Sequence, residues 1–360
     1  MARPLRINTD PISSRERVHL ALDHEETDRV PVALVCSGIN EPAFTEFDTL
    51  LQRERGTSAR DFLDSFIDIR YVDAAYVGPP LPPSTDCWGV RREPVSFGVA
   101  GYDEIAHYPL ASARDVDDIV HHAWPSTDLY DYDSLRNAIA AAQAGREHCL
   151  MVSNGNIFET SWYMRGFEQM FMDFVINPEL AHAILSRVAD FYIEHFTRLL
   201  EVADGAVDLA FTADDLAGQT GLLMSLPMWE EFIKPYHVRL NAAIHEFGVK
   251  VIYHSDGAVT EAVPGLIDMG IDVLQALQFS ADGMDPRHLK DTFGDALCFE
   301  GGVSVQTTLP FGTVDEVREE TRMLKEVLGK GGGYILGPSH AIQAGTPPEN
   351  ILAMFDTALE

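Results

Sequence analysis

Apolar runs of six to eight residues recur along this chain, separated by longer stretches in which apolar residues return every three or four positions. A near-continuous apolar run marks a strand buried on both faces, and a return near 3.6 residues marks an amphipathic helix. The clearest runs cover residues 149–154, 208–215, 249–256, 273–278, 297–303 and 333–340, and two earlier ones cover 31–37 and 67–73, so eight strands are predicted. Between them, residues 178–202 carry Leu180, Ile184, Leu185 and Val188 on one helical face; 227–247 reads the same way, and 315–328 sets Val317, Leu324, Val327 and Leu328 inward. Strand–helix alternation repeated eight times predicts an α/β fold, a (β/α)8 TIM barrel, rather than an open doubly wound sheet. No GxGxxG follows the first strand, which removes the main mark of a dinucleotide-binding fold.

The long gap between the second and third strands holds Gly78-Pro79-Pro80-Leu81-Pro82-Pro83 and a hairpin-like stretch at 88–102. It reads as an insertion on the barrel, a lid or a small subdomain. With no repeat and no low-complexity linker, residues 1–360 read as one barrel domain, the first ten or so as a loose arm.

Composition narrows the function. A hydrophobic content of 46% over 360 residues supplies a sizeable core, and the formal charge of −30 argues against nucleic acid and anionic membranes, which are bound by an excess of Lys and Arg. No run of eighteen apolar residues is present, and Met1-Ala2-Arg3-Pro4-Leu5-Arg6 lacks the apolar region of a signal peptide, so a cytoplasmic protein is expected. Cys36, Cys87, Cys149 and Cys298 are scattered without a close pair, which predicts free thiols rather than a disulfide framework or an all-thiolate zinc site.

Barrels of this kind place their chemistry at the C-terminal ends of the strands. The polar groups there are Cys36 and Asn40, Asp73, Asn154 with Asn156 and Glu159, Asp214 and Asp215, His254 and Asp256, Gln278, Glu300 and His340. The most informative stretch is His254-Ser255-Asp256-Gly257, closing the run Val249-Lys250-Val251-Ile252-Tyr253. Side chains alternate along a strand, so His254 and Asp256 leave its end on one face, and the glycine lets the chain turn. His340, ending Gly337-Pro338-Ser339-His340, is expected to face the same mouth, completing a metal-capable set of two histidines and a carboxylate, a combination that leaves coordination positions open. The same groups could instead catalyse by hydrogen bonding and proton transfer, and Asp256 could act as a helix cap. Of Asp214 and Asp215, one faces the mouth and the other caps a helix; the mouth-facing one would orient His254 or join it in catalysis. Arg165, in an aromatic-rich helix start after Glu159 and Trp162, offers a planar guanidinium for a carboxylate, against the simpler reading of core packing with an Arg–Glu pair. Asn154, Gln219 and Gln278 complete the expected substrate-binding groups, and Trp88 reads as structural.

Together these segments resemble the uroporphyrinogen decarboxylase superfamily, in its branch of corrinoid-linked methyltransferases. The resemblance runs from Arg15-Glu16-Arg17-Val18 and Asp28-Arg29-Val30-Pro31-Val32 through Asp86-Cys87-Trp88-Gly89-Val90, Phe158-Glu159, Arg165-Gly166, Asp214-Asp215-Leu216 and Gly218-Gln219 to His254-Ser255-Asp256-Gly257. It continues with Gln306, Leu309-Pro310, Gly332-Gly333-Tyr334-Ile335-Leu336, Ser339-His340 and Pro348-Glu349-Asn350-Ile351. It implies a (β/α)8 barrel. It also implies a zinc site that activates a methyl acceptor, served by a corrinoid-carrying partner protein and built from His-x-Cys after the fifth strand and a later cysteine near the last. Here His254 keeps the first position, Asp256 holds the first cysteine position and His340 the later one, so both of those thiolates are missing. An oxygen and two nitrogens make a harder site, suited to polarising an ether or carboxylate oxygen. The resemblance to true decarboxylases implies a homodimer and an N-terminal arginine for propionates; Val35-Cys36-Ser37-Gly38-Ile39-Asn40 contains no arginine. The expectation is metal-assisted methyl transfer between a small methylated substrate and a corrinoid protein. The alternatives are a cofactor-free decarboxylase, with an aspartate against the pyrrole and His340 moving a proton, and a protein that binds a corrinoid or porphyrin without turnover.

Overall fold

The computed structural model describes residues 11–36, 38–96 and 101–360. Seven parallel strands, in chain order, form one curled sheet: β1 (Ile69–Tyr71), β2 (Cys149–Asn156), β3 (Leu209–Ala213), β4 (Lys250–His254), β5 (Val273–Ala276), β6 (Cys298–Val303) and β7 (Tyr334–Pro338). The eighth place is taken by residues 31–33: Ala33 N donates to Leu336 O at 2.9 Å on one side, and Asp68 N donates to Val32 O at 2.8 Å on the other. The fold is therefore the expected α/β barrel, closed by a segment shorter than the predicted 31–37. Pro31 has no N–H to donate, and Cys36 takes a positive φ of 62°, so ladder pairing cannot extend to the end of the run. The predicted loose arm lies outside the described residues, as does Ser37.

All-parallel strands are covered on both faces, which is why they read as continuous apolar runs. Inside, Ala33, Val35, Ile69, Met151, Leu209, Phe211, Ile252, Val273, Cys298 and Ile335 fill the cylinder, with Val18 and Leu22 of helix Ser14–Leu22 packed on the same cluster. Outside, the helices pack on the opposite faces of the strands. The predicted helix at 178–202 is Pro178–Ala203, and that at 315–328 is Val314–Leu328, opened by a capping box between Thr313 and Glu316. The predicted helix at 227–247 is two helices, Leu226–Phe232 and Lys234–His245; Pro235 tolerates only a first-turn position, so a new helix starts there.

The insertion contributes a hairpin, Arg91–Ser96 with Gly101–His107, starting later than the predicted 88–102. It packs on the long helix: Trp88 lies 4.7 Å from Phe191 and 5.7 Å from Tyr192 between ring centroids. All four cysteines are free thiols, and Cys149 and Cys298 are buried. Among the described residues, no helix is long and apolar enough to cross a membrane.

Candidate functional site

Along the interior of the barrel, apolar residues give way to polar ones within two positions: Ile252 to His254, Val273 to Gln275, Cys298 to Glu300. The three polar residues stand in register on adjacent strands, His254 beside Gln275 and Gln275 beside Glu300. Above them opens a cavity of about 460 Å³, lined by Cys36, Tyr71, Ser153, Asn154, Asn156, Glu159, Phe211, Ala213, Asp215, His254 and His340. It lies at the C-terminal mouth, and among the described residues no Lys or Arg lines it.

His254 is its centre. Its Nδ1 pairs with Gln275 Oε1. An amide oxygen only accepts, so Nδ1 carries the proton, and in the neutral ring Nε2 offers its lone pair to the cavity. Nε2 lies 3.6 Å from Asp215 Oδ1, and the His254 and His340 rings are 6.0 Å apart. Strand β4 stops at His254, so Asp256 is placed by the turn rather than by strand alternation, a correction to the sequence argument. Asp256 N donates to Asp215 Oδ1 at 2.9 Å, Ser255 N to Gln275 O at 2.8 Å, and Leu216 N to Ser255 Oγ at 2.9 Å. Gly257 takes φ 87°, and a Cβ there would come within 2.5 Å of Gly218 O, so only glycine fits. Asp256 Oδ2 ends 3.9 Å from His340 Nε2. Burial raises the Asp256 carboxyl, with His254 and His340 opposing and Asp215 reinforcing the rise.

The metal-capable trio His254, Asp256 and His340 does not form one compact group. Instead, two groups share His254, each with donor atoms within 4.8 Å of one another: Cys36, His254 and His340, and Asp215, His254 and Asp256. Burial, with the charges of Asp256, Glu300, Asp215 and Glu159, pushes the Cys36 thiol up to about 12.

Glu159 reaches the cavity from the first turn of helix Ile157–Arg165. Asn156 Nδ2 donates to its Oε2 at 2.6 Å and Tyr163 Oη to its Oε1 at 3.2 Å. Burial, then the charges of Asp214 and Asp215, lift it to about 7, in the range useful to a general acid or base. Glu300 is fully buried with neither carboxyl oxygen partnered, and Gln275 Nε2 is likewise unpartnered. Burial holds the Glu300 carboxyl well above the usual range.

Other expected site residues are placed elsewhere. Asp214 faces away from the cavity: it accepts from Phe158 N and Glu159 N, each at 2.8 Å, and lies 2.5 Å from Nε2 of the equally buried His237. It thus caps the helix after β2, while Asp215 is the member of the pair that faces the mouth. Arg165 is spent on structure. Its Nε meets Asp173 Oδ2 at 2.7 Å and its Nη1 donates to Leu110 O at 2.6 Å and Ala113 O at 2.9 Å, pinning the insertion. Gln278 Nε2 donates to Gln219 Oε1 at 2.7 Å and Gln306 Oε1 at 2.8 Å, and Gly257 N donates to Gln278 Oε1 at 3.1 Å, so both glutamines shape the turn after β4 rather than line the cavity. Asn154 does line it, at φ 80° where the β2–β3 register slips; such a bulge re-aims a side chain. Cys36, Glu159 and Glu300 stand in the sequence only as polar groups at strand ends. The signal for Glu159 was the Asn-x-x-Glu spacing from Asn156; for Cys36 it was the Ser-Gly that ends its run.

The profile of the Uroporphyrinogen decarboxylase (URO-D) family matches residues 96–360. The chain is similar to the methylated-thiol–coenzyme M methyltransferase of Methanosarcina mazei, 29% identical over 196 residues, covering 54% of this chain and 49% of that protein. It is also similar to the uroporphyrinogen decarboxylase of Anaeromyxobacter sp. (strain Fw109-5), 27% identical over 253 residues, covering 69% of this chain and 68% of that one. The chain thus spans about half the length of the first relative and about two thirds of the second. Among solved structures, a methyltransferase from Methanosarcina mazei superposes with a TM-score of 0.67 at 16% identity, covering 96% of this chain and 98% of that one, which shows a shared fold. With the barrel and its polar mouth in place, the profile match over most of the chain assigns it: this protein belongs to the uroporphyrinogen decarboxylase family.

Proposed function

We propose that this protein transfers a methyl group between a small methylated substrate and a corrinoid carried by a partner protein, at a metal centre built around His254. The observation that carries the reading is the convergence of two imidazoles, a thiol and carboxylates on one cavity that, among the described residues, no Lys or Arg lines. The donor set fits a divalent ion: His254 is oriented by Gln275 so that its lone pair faces the cavity, and either Cys36 with His340 or Asp215 with Asp256 lies close enough to share a cation with it. A divalent metal, zinc by the chemistry of nitrogen and sulfur donors, would act there as a Lewis acid on the heteroatom that bears the methyl group.

The residues themselves do the rest. In such a transfer the methyl group would leave its heteroatom as a formal cation, the heteroatom would keep the bonding pair, and a reduced corrinoid at the mouth would supply the pair for the new bond. The demethylated heteroatom then takes a proton, and Glu159, with its carboxyl near 7, is the group placed to give it. Asn154 and Asn156 offer amides to orient the substrate. A cavity of about 460 Å³ suits a small substrate, and the corrinoid is met at its mouth.

The decarboxylase reading draws support from the Anaeromyxobacter relative and from His340 at the mouth. Against it, a tetrapyrrole bearing many carboxylates would enter a cavity lined by Glu159 and Asp215 and, among the described residues, by no cationic clamp. Two measurements separate the readings. Metal analysis of protein purified without a histidine tag should find close to one divalent ion per chain; fewer than about 0.2 sinks the metal centre. Incubation with uroporphyrinogen should release neither carbon dioxide nor coproporphyrinogen, and their appearance would establish decarboxylation instead.

A further inference from the structure

The departure of the strand-end motif from a His-x-Cys pattern leaves Asp256 where a thiolate is expected, but a thiol reaches the site from the opposite side of the barrel closure. We propose that Cys36, at the end of the interrupted first strand, is the thiolate ligand of the metal centre, completing a sulfur-and-two-nitrogen set with His254 and His340. The proposal rests on the metal-centre reading above and deepens it.

Three observations carry it. The donor atoms of Cys36, His254 and His340 all lie within 4.8 Å of one another, whereas Asp256 joins His254 only in the separate group with Asp215. The chain bends at Cys36, at φ 62°, where Gly38 N donates to Cys36 O at 3.0 Å and Cys36 N donates to the Tyr71 hydroxyl at 3.3 Å, which holds this residue at the cavity wall beside β1. Independently, Glu300 is fully buried with both carboxyl oxygens unpartnered and stands in register with Gln275, the residue that holds His254. This row fixes the imidazole whose free ring nitrogen faces Cys36 and His340. Sulfur and nitrogen donors select zinc or cobalt over magnesium or calcium. In this arrangement Asp215 and Asp256 flank the ligand set and are free to contact substrate.

Cobalt(II) is the probe, loaded into the full chain in place of zinc. A thiolate ligand gives a near-ultraviolet sulfur-to-cobalt charge-transfer band that nitrogen and oxygen ligands do not give. The wild type should show it, D256N should keep it, and C36S should lose it while retaining the visible bands of bound cobalt. C36S should also weaken zinc binding by at least the roughly 10–100-fold that loss of an outer-shell partner costs. As a check that does not depend on a variant folding, zinc should protect Cys36 of the wild type from alkylation, mapped by mass spectrometry. Bound cobalt without the band, a band that survives in C36S, or Cys36 alkylated equally with and without zinc overturns the assignment of Cys36 and leaves the metal centre standing. Failure of the wild type to bind cobalt or zinc at all overturns the metal centre itself.

Discussion

At the scale of single residues, the site is governed by who faces whom in one layer of the barrel. His254 receives its orientation from Gln275 Oε1, and Gln275 in turn stands beside the unpartnered acid Glu300. A row of this kind fixes which ring nitrogen is available, which a solvent-exposed histidine leaves open. Glu159 is the residue whose environment makes the sharpest prediction. Burial and the neighbouring charges of Asp214 and Asp215 lift it to about 7, with Asn156 and His254 opposing and Tyr163 donating to its Oε1. In the proposed reaction it would give its proton while protonated, so the rate of the proposed methyl transfer should fall as the pH rises through about 7. E159Q should remove that limb of the pH–rate profile and lower the plateau by roughly 10²–10⁴-fold, the usual worth of general acid catalysis. A limb that survives in E159Q would assign the titration to another group.

At the scale of elements, adjacent aspartates past the end of β3 are sorted by which way the chain leaves the strand. Asp214 turns outward to take two helix N–H groups and His237; Asp215 turns to the mouth. The two should therefore fail differently. D214A strands a buried imidazole and two amide donors, and should cost about 3–5 kcal/mol of stability in a urea titration, the range for breaking a buried pair. D215N keeps an acceptor for Asp256 N on a partly exposed side chain, and its stability should stay within about 0.5 kcal/mol of wild type while activity falls. Equal losses in the two variants would undo this division of labour. The same logic explains Arg165. Its position after a strand end invites a substrate role, yet its guanidinium meets Asp173 and the carbonyls of Leu110 and Ala113, because a helix start that carries an insertion needs an anchor more than the cavity needs a cation.

Across the whole molecule, carboxylates at the two ends of the barrel pull stability in opposite directions with pH. At the end opposite the cavity, burial alone would lift Asp208 and Asp272. Hydrogen bonds from His19 and Leu150 N–H to the first, and from His245, Val251 N–H and Lys250 to the second, outweigh burial and lower both. A carboxyl lowered by folding contributes stability in full above its unfolded value of 3.8, and that stability is lost as the pH falls through the lower folded value. At the mouth, Glu159 is raised from 4.5 to about 7, so its contribution is present below 4.5 and is lost as the pH rises through about 7. Metal-free protein should therefore be most stable between these windows. E159Q should flatten the decline between pH 4.5 and about 7 and leave the acid side unchanged in pH-dependent denaturation. A decline of unchanged slope would show that the mouth carboxyls do not carry it.

The amino-acid sequence by itself determined the barrel, the positions of its strands and the mouth as the place where polar groups gather, because strand burial and helix periodicity are local patterns written in consecutive residues. It named His254, Asp256 and His340 on the same grounds, as polar groups at the ends of apolar runs. What it could not contain is distance across the barrel. That Cys36 comes to His254 and His340, that Asp214 turns its back on the cavity, and that Gln275 and Glu300 stand in register beneath it are consequences of barrel closure and of three local events: the stop at Cys36, the bulge at Asn154 and the early end of β4 at His254. Each sets a side chain's direction through one backbone torsion or one register step. A one-dimensional pattern carries no record of such choices until the sheet has curled and its edges have met.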